Sequence, residues 1–289
     1  VIAIDGFRDS AHHWYDINDE VPKIVIPLPD QKQYDQSQVA EIADNILLYQ
    51  RANGGWPKNY DMRAILTDEQ KEKLTATKND YSLTTFDNGS THTQVEYLAR
   101  AYSIVKEDRY KESCIRGIDF IISAQYPNGG FPQFFPDTNG YRKYITFNDG
   151  AMMGVMGVLG SITFNQPHFA FLDLARREKV RMAFEKGIDC ILACQIRVND
   201  TLTAWCQQHD NINFSARNAR TFEPKAICSM ESAELVLSLM KIKNPKKEII
   251  DAVNAAVMWF QRSSIAGIRV ETVKAEKTKF MYHTSNDDR

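Results

Sequence analysis

The chain repeats itself, and few folds tolerate such a repeat. Asn45-Ile-Leu-Leu-Tyr-Gln50 is followed by Asn53-Gly-Gly-Trp-Pro57. Then, 75 residues on, Phe120-Ile-Ile-Ser-Ala-Gln125 is followed by Asn128-Gly-Gly-Phe-Pro132. A third, degenerate unit joins Asp189-Cys-Ile-Leu-Ala-Cys-Gln195 to Thr203-Ala-Trp205 after a similar step. Each unit reads as an apolar helix ending in Gln, then a turn, then an aromatic residue. Asn-Gly-Gly stops a helix because Gly takes the left-handed conformation without a Cβ clash, and the following Pro forbids an immediate restart. Helix pairs at this period predict a mainly α fold: an incomplete (α/α) toroid or barrel, with the pairs set around an axis.

The intervening segments agree. Thr67-Asp-Glu-Gln70 and Thr91-His-Thr-Gln94 read as capping boxes, and Val95, Leu98, Ala99 and Tyr102 share a helical face. Asn244-Pro245 reads as a helix start, with Ile249, Val253, Val257 and Phe260 on one stripe. Lys23-Ile-Val-Ile-Pro-Leu-Pro29 is too rich in Pro for a central strand. Residues 1–36 are expected as an irregular N-terminal arm and 37–289 as the toroid, together one domain.

Composition excludes more than it assigns. A net charge of −2 gives no global field for an anionic partner, so nucleic acid has no compositional support. No apolar run is long enough to span a membrane. No leader pattern is read at Val1, which decides nothing about location. The five cysteines are odd in number and form no CxxC, so neither a zinc site nor a disulfide framework is suggested; burial as small hydrophobes is expected.

Two loops look alike: Thr84-Thr-Phe-Asp87-Asn88-Gly-Ser and Ile145-Thr-Phe-Asn148-Asp149-Gly-Ala, with Asp87 and Asp149 62 residues apart. In a toroid, equivalent loops gather at one end, so both carboxylates could face one cleft. Oxygen ligands from Asp and Asn suit Ca²⁺. The same residues also suit plain structure: Asp87-Asn88-Gly89 is good turn chemistry, and Asp149 stands where an N-cap belongs. A third, aperiodic polar stretch runs from Trp205-Cys-Gln-Gln-His209-Asp210 through Arg217, Arg220 and Lys225. Arg forks pair well with carboxylates such as those of a sugar acid, while solvated surface charge is the alternative.

Six ordered blocks carry a resemblance: residues 53–59, 85–89, 125–133, 145–149, 205–210 and 219–224, within about residues 40–235. Together they resemble pectate lyases of polysaccharide lyase family 10. The resemblance implies Ca²⁺-assisted cleavage of α-1,4-linked polygalacturonate by β-elimination. It implies metal or substrate roles for Asp87, Asn148 and Asp149, and Arg220 as the base. Lys58, Lys143, Arg217, His209 and Asp210 are candidates for binding substrate. It further implies a secreted or periplasmic, monomeric protein acting on polygalacturonate or oligogalacturonides. Trp56 and Phe131 are expected in the core rather than as sugar platforms. Gly150 departs from the Asp expected there, and the family's C-terminal Tyr and Arg-Pro stretch is not found before Arg289; a shortened chain or a weaker enzyme would each account for that.

An Arg base conflicts with its ordinary pKa above about 12, so crowding by cations and an alkaline optimum are expected. Other readings stay open. A glycoside hydrolase could use Asp87 and Asp149 as paired carboxylates. A non-catalytic relative could bind oligogalacturonate without turnover. A terpene-cyclase-like toroid lacks its Asp-rich run.

Overall fold

A computed structural model of the chain describes residues 1–271 and 281–284; residues 285–289 of the expected tail lie outside the described part. Nine α-helices appear among the described residues: α1 Arg8–Tyr15, α2 Val39–Tyr49, α3 Asp68–Ala76, α4 His92–Val105, α5 Asp108–Ala124, α6 Ala151–Thr163, α7 Leu174–Cys194, α8 Ser229–Leu239 and α9 Lys247–Ser263. Helices α4/α5, α6/α7 and α8/α9 form packed pairs. Helices α4, α6 and α8 pack in sequence as one layer, and α2, α5, α7 and α9 as the other. The result is a two-layered helical arc of the (α/α) toroid class, with no closed barrel among the described residues.

The repeat is the device that builds the arc. Gln50 Nε2 donates to Gly54 O at 2.9 Å and to Ser113 O of α5 at 3.0 Å. Gln125 Nε2 donates to Gly129 O at 3.0 Å and to Ala183 O of α7 at 2.8 Å. Gln195 Nε2 donates to Thr203 O at 2.9 Å and to Ala252 O of α9 at 2.9 Å. Each Gln therefore closes its own turn and stitches its helix to the next helix of the same layer, satisfying carbonyls that burial would leave unpaired. The turn glycine must be glycine: at Gly129, with φ +91°, a Cβ would lie 2.0 Å from Lys186 O of α7. The aromatics fold back on the helix they follow, since Trp56 Nε1 donates to Ile46 O and Trp205 Nε1 to Ile191 O, each at 2.7 Å. Trp56, Phe131 and Trp205 are fully buried, as expected of core residues.

Four of the five cysteines are buried and the fifth, Cys228, is half-buried; all are free thiols. The capping box at Thr67 forms. The one expected at Thr91 does not: Thr91 sits at φ 66°. Its hydroxyl instead bridges Trp56 N, at 3.2 Å, and Thr85 O, at 2.8 Å. Tertiary contacts outcompete the local cap there. Helix α9 starts at Lys247, two residues beyond Pro245, because Asn244 adopts left-handed backbone. Its buried face runs through Ile249, Ala252 and Ala256, leaving Val257 outside. Nor is the N-terminal arm irregular throughout. Helix α1 lies within it and buries Trp14, whose Nε1 donates to Val25 O at 2.8 Å, so the arm is pinned to the core.

Candidate active site

The two similar loops are equivalent in three dimensions. Thr85 N donates to Trp56 O at 3.1 Å, and Phe86 N to Gln133 O at 3.0 Å. In the second loop Thr146 N donates to Phe131 O at 3.3 Å, and Phe147 N to Gln207 O at 2.8 Å. Each Thr-Phe segment thus runs between its own repeat's turn and the next one's, with Phe86 and Phe147 as fully buried anchors. The chain then tightens into Asp87–Gly89 and Asn148–Gly150, which pack against each other. Asn88 and Asp149 adopt left-handed backbone at φ 48° and 51°, each followed by a glycine at positive φ. Asn and Asp accept that conformation more readily than most residues.

The carboxylates fall at different steps of the matched turns. Asp87 takes the first position and is 2% exposed; Asn148 holds that position in the second loop, and Asp149 the next, exposed one. Lys58 forms a close ion pair with Asp87 Oδ2. Asp87 Oδ1 is buried with no hydrogen-bond partner, as is Oε1 of Gln133 on the adjoining segment. Packing of the second loop on the first partly desolvates the otherwise exposed Asp149 carboxyl, and this, reinforced by the Asp87 carboxylate, raises its pKa to about 6, opposed by Lys58 and Arg220. The two loops, Lys58 and Arg220 therefore share one electrostatic site.

Orphaned acceptor oxygens beside ionisable carboxylates fit a hard cation that prefers oxygen. Asp87 and Asp149 could hold Ca²⁺. No cluster of three or more His, Cys, Asp or Glu converges among the described residues, so neutral oxygens, water and an anionic substrate would complete the shell. Asn148 does not offer its oxygen: Oδ1 accepts from Gln207 Nε2 at 3.0 Å, while Nδ2 donates to Asp149 Oδ2 at 2.6 Å. It orients its neighbour rather than serving as the expected metal ligand.

The hairpin of β2 Gln208–His209 and β3 Ala216–Arg217 extends the site, pairing with β1 Ile145–Thr146 of the second loop. His209 is fully buried. Its Nε2 accepts from Cys206 N at 3.1 Å and its Nδ1 faces Phe214 O at 2.8 Å, while burial lowers its pKa. It is a neutral structural imidazole, contrary to the expected substrate contact. Asp210 is likewise spent on the hairpin: Oδ1 accepts from Ile212 N and Asn213 N at 2.9 and 3.0 Å, and Oδ2 from Arg217 Nε at 3.0 Å. Arg217 keeps an open guanidinium face beyond that pair, with 42% of its side chain exposed. Lys143 is exposed, with Nζ over the Tyr144 ring, and no ion pair ties it to either loop.

Arg220 is gripped by Glu223. Nε donates to Oε2 at 2.9 Å and Nη2 to Oε1 at 2.5 Å, and the guanidinium lies 4.6 Å from the Phe222 ring. Glu223 raises the Arg220 pKa above its already high ordinary value and has its own lowered in return. Sequence reasoning missed Glu223, Gln207, Gln133 and Glu231. The i,i+3 spacing from Arg220 was a usable signal for Glu223; the others depend on tertiary pairing.

No curated protein matches the sequence. A family model described as pectic acid lyase matches residues 50–287. Among solved structures the chain is similar to a family 10 polysaccharide lyase from Cellvibrio cellulosa, at 29% identity and a TM-score of 0.73, covering 86% of this chain and 75% of that one. It is equally similar to an Asp-to-Ala mutant of that enzyme in complex with trigalacturonic acid, at 29% identity and a TM-score of 0.74, covering 86% of this chain and 76% of the other. With the matched residues spanning most of the chain and the paired loops inside them, this protein belongs to the pectic acid lyase family and is a lyase.

Proposed function

We propose that the chain cleaves α-1,4-linked polygalacturonate by Ca²⁺-assisted β-elimination at the end of the fold where the two loops pack together. The observation that carries this reading is the pair of matched turns, with buried, unpartnered Asp87 Oδ1 in one and Asp149 in the other, in a chain of this family. The trigalacturonic acid bound by the Cellvibrio mutant supports an oligogalacturonide as the ligand. A polymeric substrate implies action outside the cytoplasm, secreted or periplasmic, and one chain carries both loops, so a monomer suffices.

Galacturonate is hard to deprotonate at C5 because the adjacent carboxylate is already anionic. Ca²⁺, when bound, supplies positive charge to that carboxylate and so acidifies the C5 proton. Asp87 and Asp149 would hold the ion on the protein side. Lys58, once drawn from Asp87, and Arg217 would meet substrate carboxylates. A base takes the C5 proton as the C5–H electron pair forms the C4–C5 double bond, the C4–O bond opens, and the leaving oxygen takes a proton from solvent, so that the proton count balances. No water is consumed.

Arg220 is the base that the family resemblance suggests. The resting structure sets a condition on that role, because Glu223 holds the guanidinium protonated. Until Glu223 releases it, Arg220 can act only as a cation that stabilises the enolate-like charge. The pH–rate profile of Glu223→Gln separates the two roles. A base freed from its partner moves the alkaline limb to lower pH, whereas a stabilising cation loses rate without moving the limb.

Mass spectrometry of products from a trigalacturonate digest tests the reaction class. Elimination leaves an unsaturated fragment lacking the elements of water. Fragments that have gained water make the protein a hydrolase and refute the proposal.

A further inference from the structure

Four polar side chains run in a line from the first turn of α8 to the second loop. Glu231, 4% exposed, accepts from Gln207 Nε2 at 2.9 Å. The same nitrogen donates to Asn148 Oδ1 at 3.0 Å, and Asn148 Nδ2 donates to Asp149 Oδ2 at 2.6 Å. Gln207 also holds this loop by its backbone, its carbonyl accepting from Phe147 N at 2.8 Å and Asn148 N at 3.2 Å. We propose that Glu231 is a positioning residue that fixes the direction of this hydrogen-bond chain and thereby the aim of Asp149. The inference rests on the reading of Asp149 as part of a Ca²⁺ and galacturonate site.

The argument is one of donor and acceptor polarity. A side-chain amide has a donating and an accepting end, and either could face a given neighbour; an ionised carboxylate only accepts. Glu231 therefore compels Gln207 to turn its NH₂ inward. That NH₂ has a second hydrogen, and Asn148 must meet it with oxygen. The Asn148 NH₂ is then left for Asp149 Oδ2, and Asp149 Oδ1 is left for a cation. With Glu231 neutralised by an apolar residue, both amides are free to turn. The Asn148 oxygen would then face the Asp149 carboxylate, and the repulsion would swing Asp149 away.

The first loop shows what replaces this device. At the place of Gln207 stands Gln133, whose Oε1 is buried without a partner, and at the place of Asn148 stands Asp87 itself. No amide relay reaches that carboxylate; Lys58 holds it. The relay belongs to the second loop alone.

Calorimetric titration of Ca²⁺ into the full chain, with a thermal melt of each variant, tests the inference. Glu231→Met and Gln207→Leu are expected to weaken Ca²⁺ binding about 10-fold or more, the usual effect of losing a residue that orients a ligand, at a melting temperature close to that of the wild type. Glu231→Gln should lose part of the affinity, because an amide can turn either end to Gln207 and no longer fixes the direction of the chain. If Glu231→Met does not fold, the other two variants still decide. Wild-type affinity in Gln207→Leu, or in a Glu231→Gln variant that folds, overturns the inference while leaving the site reading intact. A wild type that takes up no Ca²⁺ brings down the site reading, and the inference with it.

Discussion

The two matched loops share a backbone but not a chemistry. Both follow a buried Thr-Phe segment, both turn through a left-handed residue into a glycine, and both lead into a helix of the same layer. In the first loop the carboxylate lies deep, paired with Lys58, under the N-terminal arm: a Cβ on Gly89 would meet Gly6 O at 1.7 Å. In the second loop the carboxylate has moved one residue along into the open, and a Cβ on Gly150 would meet nothing within 4 Å. A repeated turn has thus become a buried, charge-compensated anchor and an exposed carboxylate aimed by a neighbouring amide. That division suits the proposed site, which would hold a cation and also admit a polymer.

If the division is right, the loops should respond unequally to change. The largest effect is expected from Asp87→Asn, which removes the anchor. It should lower kcat by about 100- to 1000-fold, in line with the loss of a group that stabilises developing charge. Asp149→Asn should cost less, and steady-state kinetics on trigalacturonate would show the order. Equal losses would break the comparison.

The glycines test the same asymmetry through stability. Gly89→Ala adds a methyl against the arm at a backbone φ of +76° and should destabilise by about 3 kcal/mol. Gly150→Ala meets only the left-handed penalty, about 1 kcal/mol. Denaturant titration reads both. Gly150→Asp, which restores the carboxylate that the family resemblance leads one to expect, should fit that open space and strengthen Ca²⁺ binding severalfold.

A smaller, pH-dependent effect follows from Asp149. Desolvation and the Asp87 carboxylate raise its pKa from the ordinary carboxylate range to about 6 in the fold. The folded state therefore holds the extra proton, and the group's contribution to stability diminishes as pH rises from about 4 through about 6. Cation binding runs the other way, since the ion takes the ionised form: affinity should increase as pH rises through about 6. Calorimetry at several pH values would show the step, and Asp149→Asn should remove it.

The architecture was legible because its signals are local and repeated. Gln at a helix end followed by Asn-Gly-Gly-aromatic recurs, and each recurrence performs the same stitch. Trp56 and Phe131 were recognisable as core for the same reason. The site was less legible. Asp87, Asp149 and Lys58 do come together, but His209 and Asp210, which look like polar site residues in sequence, turn inward to hold a hairpin. Thr91 offers a capping pattern and is taken instead by Trp56 and Thr85. Glu223 and Glu231 matter through partners chosen in three dimensions, which residue type alone does not reveal.

The central claim is best tested by following the ultraviolet absorbance of the unsaturated product as the wild-type chain acts on polygalacturonate at alkaline pH, with Ca²⁺ and then with excess chelator. The account predicts a steady rise with Ca²⁺ that stops on chelation and nearly vanishes in Asp87→Asn. A rise indifferent to chelator and to Asp87, or reducing ends released without absorbance, would contradict it.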